Sequence, residues 1–312
     1  MERERRLELP TSTLKESLEE AALLLNDALA IDPDYAKAWT ALGTIQINQA
    51  GQGFVPLKIG FERARIATER ALQVEPNNAR ALSSLGWIAM FHDWDFSKAA
   101  QLLRKARELE PGNVDVLNAA ATLAGTFGQH DQKISLLEAA TELDPFAMSA
   151  SANLSIAYLN TGRLSDAAER IDDMRAIEPN SFWVANSEAW LTWFNGDSEA
   201  ALEKFTDFGG STGNWGRVFA LHDLGRDDEI DEAIQLLLDA GGRPSQLAAV
   251  YAYIGDHDSA FAEFENAYEM RDDWLIEIRL FKFLESLYPD PRWEALLQKI
   301  GISDADAERI GT

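Results

Sequence analysis

Few residues of this chain could do chemistry by themselves. Its four histidines, His92, His130, His222 and His257, are each followed by aspartate, a pairing that would suit a metal ion. Metal ligands must converge to about 2.0–2.1 Å from one ion, whereas packed helices lie roughly 8–10 Å apart. The histidines fall in or near turns of different helix pairs, so side-chain reach could join His92 to His130 but not all four. The run Gly209-Gly210-Ser211-Thr212-Gly213 fits G-x-S-x-G, the elbow that presents a nucleophilic serine. That elbow works only between a strand and a helix, where strain exposes the hydroxyl. Helical sequence precedes it here and no strand is in sight, so FGGSTGNWG, Phe208 to Gly216, reads as a loop. Cysteine is absent, which excludes thiolate and disulfide chemistry. No phosphate loop, HExxH helix, calcium loop or dinucleotide fingerprint occurs. Sequence alone therefore implies no catalytic set, no cofactor and no resident metal.

What does recur is a supersecondary unit. From Met148 to Pro179, Leu154, Ala157 and Tyr158 share one helix face at i, i+3 and i+4. Gly162 breaks that helix, and Ala167, Ile171 and Met174 form the inner stripe of a second. Pro179 ends it, because proline lacks the amide donor and restricts the residue before it. Small residues at Ala157 and Ala167 let the two backbones approach. One such hairpin cannot bury its own apolar face, so it needs copies on either side.

The copies are present. Asp-Pro or Glu-Pro pairs occur at Pro33, Pro76, Pro111, Pro145 and Pro179, spaced by 43, 35, 34 and 34 residues. Alanines stand twelve and five positions before most of them: Ala21 and Ala28, Ala64 and Ala71, Ala99 and Ala106, then Ala140 and Ala167. Gly196, Gly225 and Gly255 continue the rhythm, and Leu247, Tyr251, Gly255, Ala260, Phe264 and Ala267 restate it almost in full. A helix-turn-helix of this period resembles the tetratricopeptide repeat, over roughly residues 14–271. The resemblance implies an all-α, right-handed α-solenoid of about seven to eight repeats with a C-terminal helical cap. The runs AYEMRDDWL, DPRWEALLQKIG and LGWIAMFHDWDF further resemble the C-terminal repeat region of certain bacterial signalling proteins. There the repeats follow an adenylate or guanylate cyclase, winged-helix or kinase domain, none of which is present here. That likeness implies a regulatory or partner-binding module.

Composition fits an array. A solenoid of 312 residues grows by adding repeats and escapes the size limit of a single core. A net charge of -24 disfavours nucleic acid and anionic membranes as direct partners. The start, MERERRLELP, lacks the apolar centre of a signal peptide, and no run approaches the roughly 20 apolar residues of a membrane span. A cytoplasmic protein is the expectation. Along the chain, residues 1–13 read as a short capping segment or a truncated repeat. Residues 14–208 form the regular array, with an insertion at 49–60 that is a loop or a lengthened helix end. Residues 209–243 are a degenerate repeat. Residues 244–312 hold the last repeat and capping helices near 273–287, 291–300 and 304–310.

One constellation suits binding. Trp183, Asn186, Trp190 and Trp193 lie at i, i+3, i+7 and i+10 of one helix. In the register of the resembled family this stripe lines the concave groove where partner peptides lie. Trp87 and Phe91, and Trp215 and Phe219, take equivalent positions. Tryptophan offers a large rigid apolar face and a donor. The same residues could instead rotate inward as core, so groove and core both stand open for each. If the stripe faces the groove, Trp190 and Trp193 are partly exposed. Lys37 and Arg80 are the only bases found on it, which gives no support to a basic clamp for an acidic peptide end. The expected partner is a protein or peptide, with self-association of copies as the alternative. For the histidines, zinc, nickel or manganese at micromolar concentration is expected to leave the melting temperature unchanged. Native-state binding would raise it, so a thermal-shift titration checks this.

Overall fold

The computed structural model describes residues 9–51 and 53–311. Among these, every regular element is a helix. Contacts divide the chain into two compact units that meet at Leu123 and Ala124.

The first unit holds α1 (Leu9–Ile31), α2 (Ala36–Gly51), α3 (Leu57–Val74), α4 (Ala79–Ile88), α5 (Phe96–Leu109) and most of α6 (Val114–Thr126). Turn chemistry sets their limits. The amides of Asp32, Glu75 and Glu110 make the last bonds of α1, α3 and α5, to Ala28, Ala71 and Ala106. The proline that follows has no amide with which to continue. Asn78 then caps α4 by accepting from the Ala81 amide at 2.9 Å, while its own amide nitrogen donates to Glu75 at 2.8 Å. Such a cap satisfies one of the orphan donors of a helix start.

Packing within a pair depends on small residues. A Cβ on Gly43 would stand 2.5 Å from Thr68 Oγ1, and one on Gly86 would stand 2.9 Å from Leu103. Glycine at these points lets α2 meet α3 and α4 meet α5 backbone to side chain. The inner stripes they cover are sealed: Ala64, Thr68 and Ala71 are 0% exposed, and Ala99, Leu103 and Ala106 are at most 2%.

The insertion is resolved as lengthened helices. α2 and α3 run to 16 and 18 residues, against 13 and 14 in α8 (Met148–Asn160) and α9 (Leu164–Ile177). Gly60 is a contact residue and not a loop residue, since a Cβ there would reach Ala50 Cβ at 2.5 Å. Gln52 lies outside the described residues. At the start, residues 9–13 continue α1 and make no separate capping helix; residues 1–8 of that expected segment lie outside the described residues.

The second unit contains α7 (His130–Leu143), the pair α8 and α9, α10 (Phe182–Phe194), α11 (Ser198–Phe208), α12 (Gly210–Asp223), α13 (Ile230–Asp239), α14 (Pro244–Tyr253), α15 (His257–Met270), α16 (Pro291–Ile300) and α17 (Asp304–Ile310). The expected loop at 208–216 is corrected to a one-residue break at Gly209, after which α12 begins at once. Gly209 and Gly210 take φ of 64° and 63°, which only glycine adopts freely. Gly213 and Gly216 serve approach instead: a Cβ would stand 2.4 Å from the Phe205 carbonyl oxygen and 2.3 Å from its ring.

The tail differs from expectation in one place. α16 and α17 are helices as read, with Asp290 capping α16 and Gly301 closing it at φ 89°. Residues 273–287 are not a capping α-helix but two 3-10 segments, Asp273–Leu280 and Lys282–Leu287. They cross the first helices of the second unit.

Ala167 is 0% exposed within the α8–α9 pair. Ala167→Leu is expected to overpack that crossing and cost about 1–3 kcal/mol. A melting curve that matches wild type would show the stripe to be misplaced.

Candidate functional site

The first helices α8, α10, α12 and α14 present the residues expected to form a binding face. In the second unit that face is already covered. Trp190 and Trp193 of α10, Phe205 of α11, Trp215 and Phe219 of α12 and Tyr253 of α14 form a continuous aromatic cluster. Trp190 meets Trp215 edge-on at 5.1 Å and Phe205 at 5.0 Å. Phe219 stacks on Tyr253 at 4.3 Å. The 3-10 strap supplies the lid: Trp274 packs on Trp215 at 4.8 Å, Phe283 on Phe219 at 5.0 Å, and Phe281 stacks on Trp274 at 4.9 Å. Edge-to-face and offset contacts of this kind are the favoured arrangements of aromatic rings.

Polar anchors fix cluster and strap. Asp223 accepts from Trp193 Nε1 at 2.8 Å, from Ser198 Oγ at 3.0 Å and from the Tyr253 hydroxyl at 2.5 Å. Burial, and then the bond to Asp223, pushes the Tyr253 phenol far above the usual tyrosine range. Asp272 starts the strap by accepting from the Ser245 amide at 3.0 Å and its hydroxyl at 2.6 Å. Arg243 reaches both Asp272 and Asp273. Midway, the Lys282 amide donates to Asn160 Oδ1 at 3.0 Å. Arg279 donates to the Ile302 carbonyl at 2.8 Å and to Asp304 at 2.6 Å. Its guanidinium lies against Gly128, where a Cβ would come within 3.0 Å of Nε. Lys133 of α7 and Glu277 of the strap face each other electrostatically. Burial pushes the Lys133 amine down and the Glu277 carboxyl up, and the opposite charge of each partly offsets this.

The stripe therefore divides. Trp190 (7% exposed), Trp193 (9%), Trp215 (3%) and Phe219 (0%) are buried. The expectation that Trp190 and Trp193 are partly exposed in the free protein is corrected: Phe283 of the strap lies on Trp190, and Phe219 and Tyr253 close over Trp193. Asn186 is buried as well, and its Oδ1, like Trp215 Nε1, has no hydrogen-bond partner. Trp183 is half-buried at the edge, packed beside Ala152, Met174 and Val184. Trp87 and Phe91 belong to the first unit and form a pair of their own. Their rings stack at 4.7 Å with an interplanar angle of 14°, and both are half-buried.

That pair stands at an unusual helix end. α4 passes into one π turn, Ala89–Asp93, after which Trp94 adopts φ 56°. π turns inside helices are often found at functional sites. Asp93 grips Arg65 through both oxygens, at 2.7 and 2.9 Å, and the His92 ring stacks on Phe61 at 5.5 Å. Phe91 leans on the cluster of Ala50, Phe61, Ala64, Leu85 and Ile88. Nearby on the same face Arg80 pairs with Asp115 at 2.8 Å, and Lys37 is exposed.

Sequence reasoning missed Trp274, Phe281 and Phe283. A signal existed: Ile276, Ile278 and Leu280 alternate with Glu277 and Arg279, a two-residue period that argues against an α-helix. A cavity of about 660 Å³ remains where the strap passes the start of α7 and the end of α8. Arg279 and Lys282 line it, but so do Asp131 and Glu285, which leaves no net charge for an ion. His130, also there, is pushed down by burial and then by Lys133 and Arg279. Among the described residues no group of three His, Cys, Asp or Glu could hold a metal. No described helix is long and apolar enough to cross a membrane.

Likeness to known proteins agrees with this architecture. Residues 60–114 and 118–181 match the tetratricopeptide repeat family model. No curated protein matches the chain. Among solved structures, a tetratricopeptide repeat protein from Parabacteroides merdae superposes with a TM-score of 0.56 at 16% identity, covering 78% of this chain and 98% of that one. A chain of the APC/C hetero-tetramer Cut9–Hcn1 gives 0.61 at 15% identity, covering 87% of this chain and 52% of that one. This chain thus spans about half of that longer array.

Trp190 and Trp193 are core residues of the second unit. Changing both to alanine is expected to destabilise severely, since each buried tryptophan lost typically costs about 3–5 kcal/mol. A denaturant titration reads the loss directly, and a near-native midpoint would return these rings to the surface. Over residues 60–114 and 118–181 the chain is similar to the tetratricopeptide repeat family, and its fold is the all-α, solenoid type built of such helix pairs.

Proposed function

We propose that the protein is a scaffold that binds a protein or peptide on the first-helix face of its first unit, centred on Trp87 and Phe91. The second unit carries this reading. There the corresponding face, rich in the same residue types, holds a fifteen-residue segment of the chain itself, Asp273–Leu287. A first-helix face of this sequence thus accepts a non-α-helical segment with aromatic side chains. In the first unit the stacked pair keeps part of both rings exposed. Half-buried aromatic anchors of this kind often carry much of an interface's energy.

The chemistry of the face points to binding and not to catalysis. Arg80 and Asp115 on it are engaged with each other, and among the described residues no nucleophile–base pair stands beside the rings. The related fold in Cut9 is seen in a hetero-tetramer with Hcn1, so arrays of this kind do hold other polypeptides. The runs around Trp87 and Trp274 that resemble bacterial signalling proteins support a regulatory role in signalling or transcriptional control, in the cytoplasm. Self-association of a larger cyclase or regulator is the alternative, and light scattering separates it from capture of a different partner.

A phage-displayed peptide library selected on the whole chain tests the reading. Trp87→Ala/Phe91→Ala is expected to weaken the selected aromatic peptides by at least about ten-fold, given about 1 kcal/mol or more for each anchor. Because Phe91 also packs on the Phe61 cluster, the variant should melt lower than wild type, yet in one cooperative transition that leaves it folded at the binding temperature. Peptides that bind wild type and the double variant equally would place the docking face elsewhere.

A further inference from the structure

The cavity of about 660 Å³ beside the strap holds charges of both signs that do not neutralise one another. Its walls come from the start of α7, the end of α8 and the strap with Tyr288, all within the second unit. Lys282 and Glu285 stand in the second 3-10 segment. Side chains three apart in such a turn eclipse, at a rise of about 2.0 Å per residue, so these two share one side of the strap about 6 Å apart. Asp131 is contributed by α7. Among the described residues Lys282, Glu285 and Asp131 make no ion pair and no side-chain hydrogen bond. Bases elsewhere in this unit are taken: Arg163, Arg175, Arg226, Arg243 and Arg292 each meet a carboxylate. Arg279, on the same wall, is held by Asp304 and the Ile302 carbonyl.

The walls are fixed by contacts outside the cavity's own charges. The Lys282 amide donates to Asn160 Oδ1 at 3.0 Å, and the Tyr288 ring packs on Trp293 at 5.2 Å. His130 adds a buried Nδ1 with no hydrogen-bond partner. Burial, and then Lys133 and Arg279, hold its ring toward the neutral form, in which one nitrogen accepts.

Chemistry narrows the occupant. The described residues offer no group of three ligands for a metal. A simple anion drawn to Lys282 also meets Asp131 and Glu285, and a simple cation drawn to these meets Lys282, so either gains little. The end of a peptide chain carries only one of the two charges. A small molecule with both an ammonium and a carboxylate answers both signs at once. The volume falls within the range of about 300–1,000 Å³ usual for small-molecule sites. Leu280 and Tyr288 give a side chain some apolar surface.

We infer that this cavity binds a free amino acid as its zwitterion, with the carboxylate on Lys282 and the ammonium on Glu285 and Asp131. Bound there, it touches α7, α8 and the strap together, and so favours the closed strap. The site lies in the second unit and does not depend on the Trp87–Phe91 face.

The probes are the common amino acids, titrated singly into the whole chain by isothermal calorimetry. At least one should saturate below about 1 mM. Its N-acetyl derivative lacks the ammonium and its primary amide lacks the carboxylate. Each should bind about ten-fold or more weaker, because a charge-assisted bond is lost. Lys282 and Glu285 are exposed, so Lys282→Gln and Glu285→Gln should melt as wild type does without ligand. Each should lose about ten-fold or more in affinity, and the ligand should raise the melting temperature of wild type more than of either variant. Trp87→Ala/Phe91→Ala should bind the amino acid unchanged. No saturation by any amino acid up to about 10 mM, or equal binding by either blocked derivative or either variant, overturns the inference. So does a peptide blocked at one end that binds as tightly as the free amino acid, because the occupant is then a chain end.

Discussion

Two α-helices can pack closely along their lengths only if one of them has almost no side chain where they cross. Everything else in this chain follows from meeting that condition repeatedly. Gly43, Gly86, Gly213 and Gly216 each occupy a point where a Cβ would fall within 3.0 Å of the partner helix. Thr68, Leu103 and Phe205 face them from the second helices, whose alanines are sealed, at 0% exposure in Ala64, Ala99, Ala167 and Ala201. The close approach lets the larger residues of each stripe, such as Ile171 and Phe205, at 1% exposure, fill the space between pairs. Interiors packed to this density tolerate neither an added nor a missing methylene well. Since each pair seals only its neighbour, the pattern must be repeated, and its ends need separate treatment.

At the C-terminal end the chain doubles back: the strap of 273–287 lies over the aromatic face, and α16 then packs on α15, with Trp293 6.3 Å from Phe264. Leu275, Ile276 and Leu287 of the strap are fully buried, and Asp272 is locked to Ser245. A segment held by so much apolar area is structure and not a loosely bound ligand. Toward the start of the described residues, Ala21, Leu25 and Ala28 of α1 hold the same register and are half-buried.

Much of the fold was legible because its signals are periodic. Proline after aspartate or glutamate, alanines twelve and five residues earlier, and glycine in the inter-helix turn recur at nearly fixed spacing. Each has a mechanical cause, so they agree with one another. Failures came where one residue type serves two purposes. Glycine marks turns at Gly162 and Gly255, with φ of 76° and 86°, but marks helix contacts at Gly60, Gly213 and Gly216. The sequence around these three looks like a loop, and only the partner across the crossing says otherwise. The tryptophan stripe failed for a related reason. Positions on a first helix specify which way a ring points, not whether another part of the chain, some ninety residues on, will lie over it. Trp190 and Phe283 meet at 6.3 Å across that separation.

The charge of the chain is similarly uneven once the units are known. Residues 1–123 carry 14 lysines and arginines against 17 acids, whereas residues 124–312 carry 14 against 35. Nearly all of the acidic excess therefore sits in the unit whose first-helix face is closed. There it acts on solubility and repels anionic surfaces, and it does not require an acidic binding site. Within the first unit the balance is almost even, so local placement decides. Arg80 and Lys37 stand on the face that bears Trp87 and Phe91, but Arg80 is paired with Asp115. That face therefore offers aromatic surface more than net charge, and a partner there is selected by the fit of its apolar groups to the two rings.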